Sequence, residues 1–292
     1  MVLLAIAGSR LVVSVAIFAD SIYAEELLSL DLRLGPFGSE NVFRVARVFL
    51  AIKKCMKRLR RLYGRLKAST TPSPGALWPN PTPDPPTDAR DLWTTLEFFS
   101  KLDHTLGTPI DQTAIDEDNK RHGLYLARTR IEPDTPMVEV LVKFVPTYNE
   151  LAHTTLASND PPLAPTLHSC NRVIGGMYMV VTQYIRSPSL LTTPPASSRG
   201  AIERDITRAL LLLHEKDLVF GDLWEGNVLY SQADGGRAFL VDFDRVGRDR
   251  EGVYPAYFKH GADLGVDRGQ LMKKIHDTRN LQELLIRISG KH

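Results

Sequence analysis

The chain has 292 residues, 43% hydrophobic and 24% charged, a balance that excludes a disordered or fibrous protein and predicts one ordinary domain with an extension, or two small ones. Its two cysteines, Cys55 and Cys170, are too few for a disulfide framework and predict a reducing, intracellular compartment, cytoplasmic or nuclear. The net charge of +2 conceals an asymmetry: ten Lys or Arg and no acid lie between Arg44 and Lys67, so the rest of the chain sums to −8.

The opening runs "MVLLAIAG" and "LVVSVAIFA" are apolar but split by Arg10, and no basic residue precedes them. Neither reaches the ~20 residues needed to span a bilayer, so no membrane span is expected. Two short buried strands are predicted rather than a targeting segment. Residues 40–68 then read as one long helix, because Val45, Val48, Ile52, Cys55, Leu59, Leu62 and Leu66 recur at alternating spacings of three and four. The basic residues cover its other faces. That face is either solvated while the seam packs on its own domain, or it meets an anionic partner over 44–67 such as nucleic acid or a lipid surface. A nuclear-import signal in "KKCMKRLRRL" is a further reading.

Residues 69–91 contain seven prolines, which excludes a helix or a central strand and predicts a linker or extended arm. Beyond it, "GLYLARTRI" (123–131) and "MVEVLVKFV" (137–145) alternate around "EPDT" and predict a hairpin. A short helix over 148–157 and a strand over 177–185 follow. After a second Pro/Ser stretch, 187–199, a helix is expected from Ser198 to about His214, carried by Ile202, Ile206, Leu210 and Leu213. Strands "NVLYS" and "AFLVDF" and a last helix over about 270–288 complete an α+β protein of two lobes. The expected organisation is an N-terminal extension (1–68), the proline-rich linker (69–91) and a minimal domain over 92–292, divided near residue 186.

The chemistry sits in "LVFGDLWEGNVL" (218–229) and the later "VDFD" (241–244). A carboxylate held in a loop can accept the proton of an attacking hydroxyl, and Asp222 is placed for that. An amide and a second carboxylate flanking a tight hairpin can share Mg²⁺ on a nucleotide, and Asn227 and Asp242 fit. Lys143, late in an upstream strand, can hold the α/β-phosphates of ATP. Four residue types in this order are far more specific than D-x-x-x-x-N alone.

These segments resemble the protein-kinase-like fold, and more closely a branch of it seen in mushroom-forming fungi. The resemblance covers about 92–285 and rests on "VLVKFVPTYNELAHTTLA", "MYMVVTQYI", "LLLHEKDLVFGDLWEGNVL", "FLVDFDRVGRDREGVYP" and "HDTRNLQELL". Upstream, "ENVFRVARVFLAIKKCMKRL" and "LWPNPTP" look like segments that precede the kinase-like part in those proteins. The resemblance implies binding of ATP and Mg²⁺ and transfer of the γ-phosphoryl group to a hydroxyl acceptor, on a protein Ser or Thr or on a small molecule. It places Thr182 at the gatekeeper position and Gln183 to Ile185 at the hinge against adenine. Glu150 becomes the partner of Lys143, and Asp277 the acceptor for the backbone of the Asp222 loop. It also implies a truncated C-terminal lobe, since no further helices follow 288.

The sequence departs from that pattern in ways that keep a second reading open. No G-x-G-x-x-G lies between residues 101 and 140, where only Gly107 and Gly123 occur; Gly221 and Trp224 stand where Arg and Lys are common; and Asp244 follows "DF" in place of Gly. The alternatives are a pseudokinase, acting as a nucleotide-binding or scaffolding module, and a nucleic-acid-binding arm carried by the basic helix.

Overall fold

The structure is a computed structural model. It describes residues 2–18, 22–33, 38–63, 78–79, 81, 83–84, 96–103, 109–110, 123–132, 134–173, 176–186, 196–232, 235–255, 265–267 and 269–289. The chain folds as two compact units, Met1–Pro79 and Asn80–His292.

The first unit holds a three-stranded antiparallel meander of β1 (Val2–Ala7), β2 (Arg10–Phe18) and β3 (Ile22–Asp31). Three strands stand where two were expected, because the third carries Glu25 and Glu26 and lacks an apolar run. Burial is also narrower than expected. Leu11, Val13 and Leu30 are buried, whereas Leu4 and Ile6 of the edge strand β1 are exposed. Helix α1 runs Gly38–Tyr63; the expected continuation over 64–68 lies outside the described residues. Its seam is half-buried at Val45, Val48, Ile52, Met56 and Leu59, with Met56 taking the place assigned to Cys55, which is exposed.

The second unit is built on a six-stranded antiparallel sheet in the order β5-β4-β6-β7-β9-β8. Its strands are β4 (Glu97–Leu102), β5 (Pro109–Ile110), β6 (Gly123–Thr129), β7 (Val138–Val145), β8 (Leu167–Arg172) and β9 (Tyr178–Gln183). The alternating pair β6 and β7 forms the expected hairpin, with Leu124 opposite Lys143. β8, "LHSCNR", is half-exposed along most of its length and shows no alternation, so its sequence did not mark it. Of the proline-rich arm, Pro83 bridges Val173 and the Asp84 N–H donates to Arg172 O at 3.0 Å, which covers the end of that edge strand.

Between β7 and β8 lies α2 (Glu150–Ala157), capped by Asn149, whose side chain accepts from the Ala152 N–H at 3.0 Å. Helix α3 (Arg199–Glu215) buries Ile202, Ile206, Ala209, Leu210 and Leu213. That stripe packs on the hairpin β11 (Val228–Ser231) and β12 (Arg237–Leu240) and on α4 (Lys274–Ile288). β10 (Leu218–Val219) pairs with β13 (Gly247–Arg248) around the Asp222 loop. The expected strand through Phe243 stops at Leu240 instead. Asp242 adopts a left-handed conformation (φ 72°, ψ 73°) and Phe243–Arg245 form a single 3₁₀ turn, a conformation that Asp tolerates better than bulky residues.

Asp205 joins α3 to the hairpin. It is buried, its carboxylate accepts from the Ala238 N–H at 3.1 Å, and Arg237 Nε lies 3.8 Å away. Asp205→Ala leaves that buried amide unpaired and is expected to lower unfolding stability by about 1–3 kcal/mol in a denaturant titration.

Candidate active site

Alternation along β7 buries Val142 and Phe144 and leaves Lys143 half-buried on the other face. The Lys143 ammonium forms an ion pair with the Asp242 carboxylate and lies 4.0 Å from Asp244. Burial alone would lower the lysine's pKa, but the charges of Asp242 and Asp244 outweigh it and hold it above the usual range. For Asp242 burial acts upward, and the Lys143 charge, with hydrogen bonds from Asp244 and Lys143 and the Arg245 charge, together draw the carboxyl down.

The turn carrying Asp242 is fastened to the β7–α2 connection by three hydrogen bonds. Thr147 Oγ1 donates to Asp244 O at 2.9 Å, the Asn149 N–H to Phe243 O at 3.0 Å, and Asn149 Nδ2 to Val246 O at 3.3 Å. Phe243 is fully buried, stacked on the His153 ring with centroids 4.5 Å apart and edge-on to Phe220. His153 Nε2 donates to Pro165 O at 2.7 Å, Nδ1 accepts from the Tyr148 hydroxyl, and burial pushes the imidazole down to about 4, so it stays neutral.

Asp222 sits in the loop after β10 and is 7% exposed. Burial first, and then the Asp242 charge, push its carboxyl up to about 7, and its Oδ1 is buried without a hydrogen-bond partner. Asn227 closes the 3₁₀ turn Glu225–Asn227, where its Nδ2 donates to Asp222 O at 2.8 Å. Its own carbonyl accepts from the Val241 N–H at 3.0 Å, so the hairpin places Asn227 beside the residue preceding Asp242.

Asp277, in the first turn of α4, is fully buried. Its carboxylate accepts from the Phe220 N–H at 2.8 Å, the Gly221 N–H at 2.9 Å and His214 Nε2 at 2.9 Å. Gly221 has φ +78°, and a Cβ there would meet Met272 Cε at 2.2 Å, so the position admits no larger residue without repacking. Trp224 packs against Val219, Tyr254, Val266 and Met272. Gly123 opens β6 and is a packing glycine, since a Cβ there would meet Phe144 Cβ at 3.1 Å; Gly107 lies outside the described residues.

Thr182 is buried in β9 opposite Leu141, and Ile185 is buried just beyond the strand. The Gln183 N–H donates to Thr166 O at 2.9 Å, and its Oε1 accepts from Thr166 N and Oγ1, each at 3.3 Å. Glu150 is not brought to Lys143. It lies exposed in the first turn of α2, because the Asn149 cap tied to Phe243 starts the helix there, and Asp242 and Asp244 take the lysine instead. Asp244 is the residue that sequence reasoning passed over, as a mere replacement of Gly. Burial first, and then the Asp242 charge, push its carboxyl up to about 8. The signal was present in "DFD": two carboxylates two residues apart.

Among the described residues no cluster of three or more His, Cys, Asp or Glu is arranged to hold a metal ion by itself. The donors at hand are an amide and carboxylates. That set suits Mg²⁺, which takes one or two carboxylates and completes its shell with substrate phosphates and water. Oδ1 of Asp222 and Oδ1 of Asp244 are buried without a hydrogen-bond partner, Arg245 Nε lying 4.0 Å from the latter.

No protein-family model matches the sequence, and no curated protein does. Among solved structures, the kinase PK-1 of Cydia pomonella granulovirus is similar over 67% of this chain and 70% of its own, at 15% identity and a TM-score of 0.47. A likeness that loose carries nothing over to this chain.

Two outcomes follow from the geometry. Asp277→Ala leaves two buried backbone amides without an acceptor and is expected to cost about 2–5 kcal/mol in chemical denaturation. For Asp244, the folded carboxyl keeps a proton that the unfolded chain loses above its ordinary value of 3.8. Its contribution to stability therefore falls as pH rises from about 4 to about 8. Asp244→Asn should melt above the parent at pH 8, with the gap closing towards pH 4; a pH-independent gap would contradict the assignment.

Proposed function

We propose that this chain is an ATP- and Mg²⁺-dependent phosphotransferase of the protein-kinase-like superfamily, moving the γ-phosphoryl group to a hydroxyl on a protein Ser or Thr or on a small molecule. The observation that carries the reading is the meeting of Lys143, from the antiparallel sheet, with Asp242, beside the loop that holds Asp222 and Asn227. Kinship with the kinase-like proteins of mushroom-forming fungi rests only on the segments quoted above.

In this reading Lys143 supplies the positive charge for the α/β-phosphates, and Asn227 and Asp242 hold Mg²⁺. When bound, the metal ion neutralises charge on the β- and γ-phosphates. Asp222 orients the acceptor hydroxyl and takes its proton as the new O–P bond forms and the bond to the departing ADP oxygen breaks. A carboxyl raised to about 7 suits that task, because a general base works best near the ambient pH. Asp277 acts through the backbone, fixing the Phe220–Gly221 peptide that precedes Asp222. Thr182, Gln183 and Ile185 border the adenine, and the Gln183 N–H is engaged by Thr166 O.

Millimolar ATP with Mg²⁺ is expected to raise the melting temperature, and ATP or Mg²⁺ alone to do so much less. Asp222→Asn should leave that shift nearly intact while lowering phosphoryl turnover by roughly 10²–10⁴. Asp242→Asn should abolish the Mg²⁺ dependence of binding. A folded protein that ATP and Mg²⁺ fail to stabilise would defeat the reading. Binding without turnover, unchanged by Asp222→Asn, would instead identify a nucleotide-binding scaffold.

A further inference from the structure

Helix α1 changes chemistry along its length on the side away from its seam. The seam residues Val45, Val48, Ile52, Met56 and Leu59 are half-buried. Outside the seam the first half of the helix exposes Val42, Phe43, Phe49 and Leu50, at 57%, 66%, 46% and 53%, together with Arg44 and Arg47. The last turns present Lys53, Lys54, Lys57, Arg58, Arg60 and Arg61, all exposed. At 3.6 residues per turn, Val42, Phe49, Lys53 and Arg60 fall on a single stripe, so the apolar and basic patches are continuous end to end. None of the basic residues between Arg44 and Arg61 has an ion-pair partner among the described residues.

We propose that α1 is a membrane-surface anchor. Val42, Phe43, Phe49 and Leu50 enter the acyl boundary of a bilayer, and the basic residues of the helix lie along anionic headgroups. Both halves are needed for this choice of partner. A nucleic acid would neutralise the basic turns and leave Phe43, Phe49 and Leu50 in water, where uncovered apolar area is unfavourable. A second copy packed side by side in parallel would cover the apolar turns and bring two unpaired basic segments together. An anionic bilayer satisfies both, because interfacial helices bind by buried apolar area plus attraction to acidic lipids.

The dimensions agree. Residues 42–50 span about 12 Å at ~1.5 Å per residue, which matches a tilted entry into an interface penetrated to about 5–10 Å. Among the described residues no helix is long and apolar enough to cross a membrane, so the contact is with the surface. Charge sets the orientation. The remainder of the chain carries −8 and is repelled by the surface that attracts the 44–67 segment. This inference does not rest on phosphoryl transfer, and its test has no catalytic readout.

The test is flotation of the full chain with vesicles of phosphatidylcholine alone, and with about one third phosphatidylserine. The parent should float with the acidic vesicles at least about tenfold more than with the neutral ones, and less in high salt. Phe49→Ser/Leu50→Ser and, separately, Lys53→Glu/Lys54→Glu should each reduce flotation by at least about tenfold. Both should keep the parent's circular dichroism and melting temperature, since all four side chains are exposed. Should either variant fail to fold, the lipid and salt dependence of the parent still decides. A parent that does not float overturns the proposal. So does an apolar variant that floats like the parent while double-stranded DNA competes, which would make α1 a nucleic-acid surface. A parent dimer in size exclusion, lost in the apolar variant, overturns it in favour of a second copy.

Discussion

The ion pair between Lys143 and Asp242 is the interaction on which the second unit's chemistry depends. It joins residues 99 positions apart, one in the antiparallel sheet and one at the turn after β12. In a half-buried setting the desolvation of two charges offsets much of their attraction, so such a pair adds little net stability, yet removing one partner costs about 3–5 kcal/mol. Its value is therefore positional. The lysine is held where the hairpin delivers Asn227 and Asp242. Asp244 makes the arrangement asymmetric, with two carboxylates to one ammonium. Burial and the neighbouring charge leave the second of these carboxyls holding its proton.

Around this pair, neutral hydrogen bonds do the fastening. The β7–α2 connection is tied to residues 243–246 through Thr147 and Asn149, and Phe243 is clamped between the rings of His153 and Phe220. On the other side, Asp277 gathers two amides of the Asp222 loop and His214 of α3. A buried carboxylate is tolerated there because three donors compensate for the lost water. The loop bearing Asp222 is thus fixed by its backbone, while Asp222 Oδ1 is buried without a hydrogen-bond partner and burial and the Asp242 charge raise its carboxyl.

The first unit distributes its chemistry differently. Among the described residues the small meander buries Leu11, Val13 and Leu30, and the long helix beside it in sequence keeps its seam half-covered while showing both apolar and basic groups to solvent. Nearly all of the chain's positive charge asymmetry is concentrated in this one segment. A helix built in this way is shaped by what it meets more than by its own core.

Periodicity in the sequence was sufficient for α1, α3, α4 and the β6–β7 hairpin, because each must bury one stripe or one face and that requirement is written at spacings of 3.6 or 2. It was insufficient for β3, β4 and β8, which lack a clear alternation and whose strand state comes from pairing with β2, β6 and β9. For the site, the order and spacing of Lys143, Asp222, Asn227 and Asp242 singled out those residues before any geometry was known, and the family resemblance added Asp277. Which carboxylate meets the lysine was decided only in three dimensions. Glu150 was the nearest candidate in sequence, but the cap at Asn149 turns the helix start towards the 243–246 segment and leaves Glu150 in solvent, while Asp242 and Asp244 arrive from the far hairpin. Residue type and spacing state what a side chain can do. Whether two charges lie within a few ångströms depends on how separate elements pack, and that is absent from any local stretch of sequence.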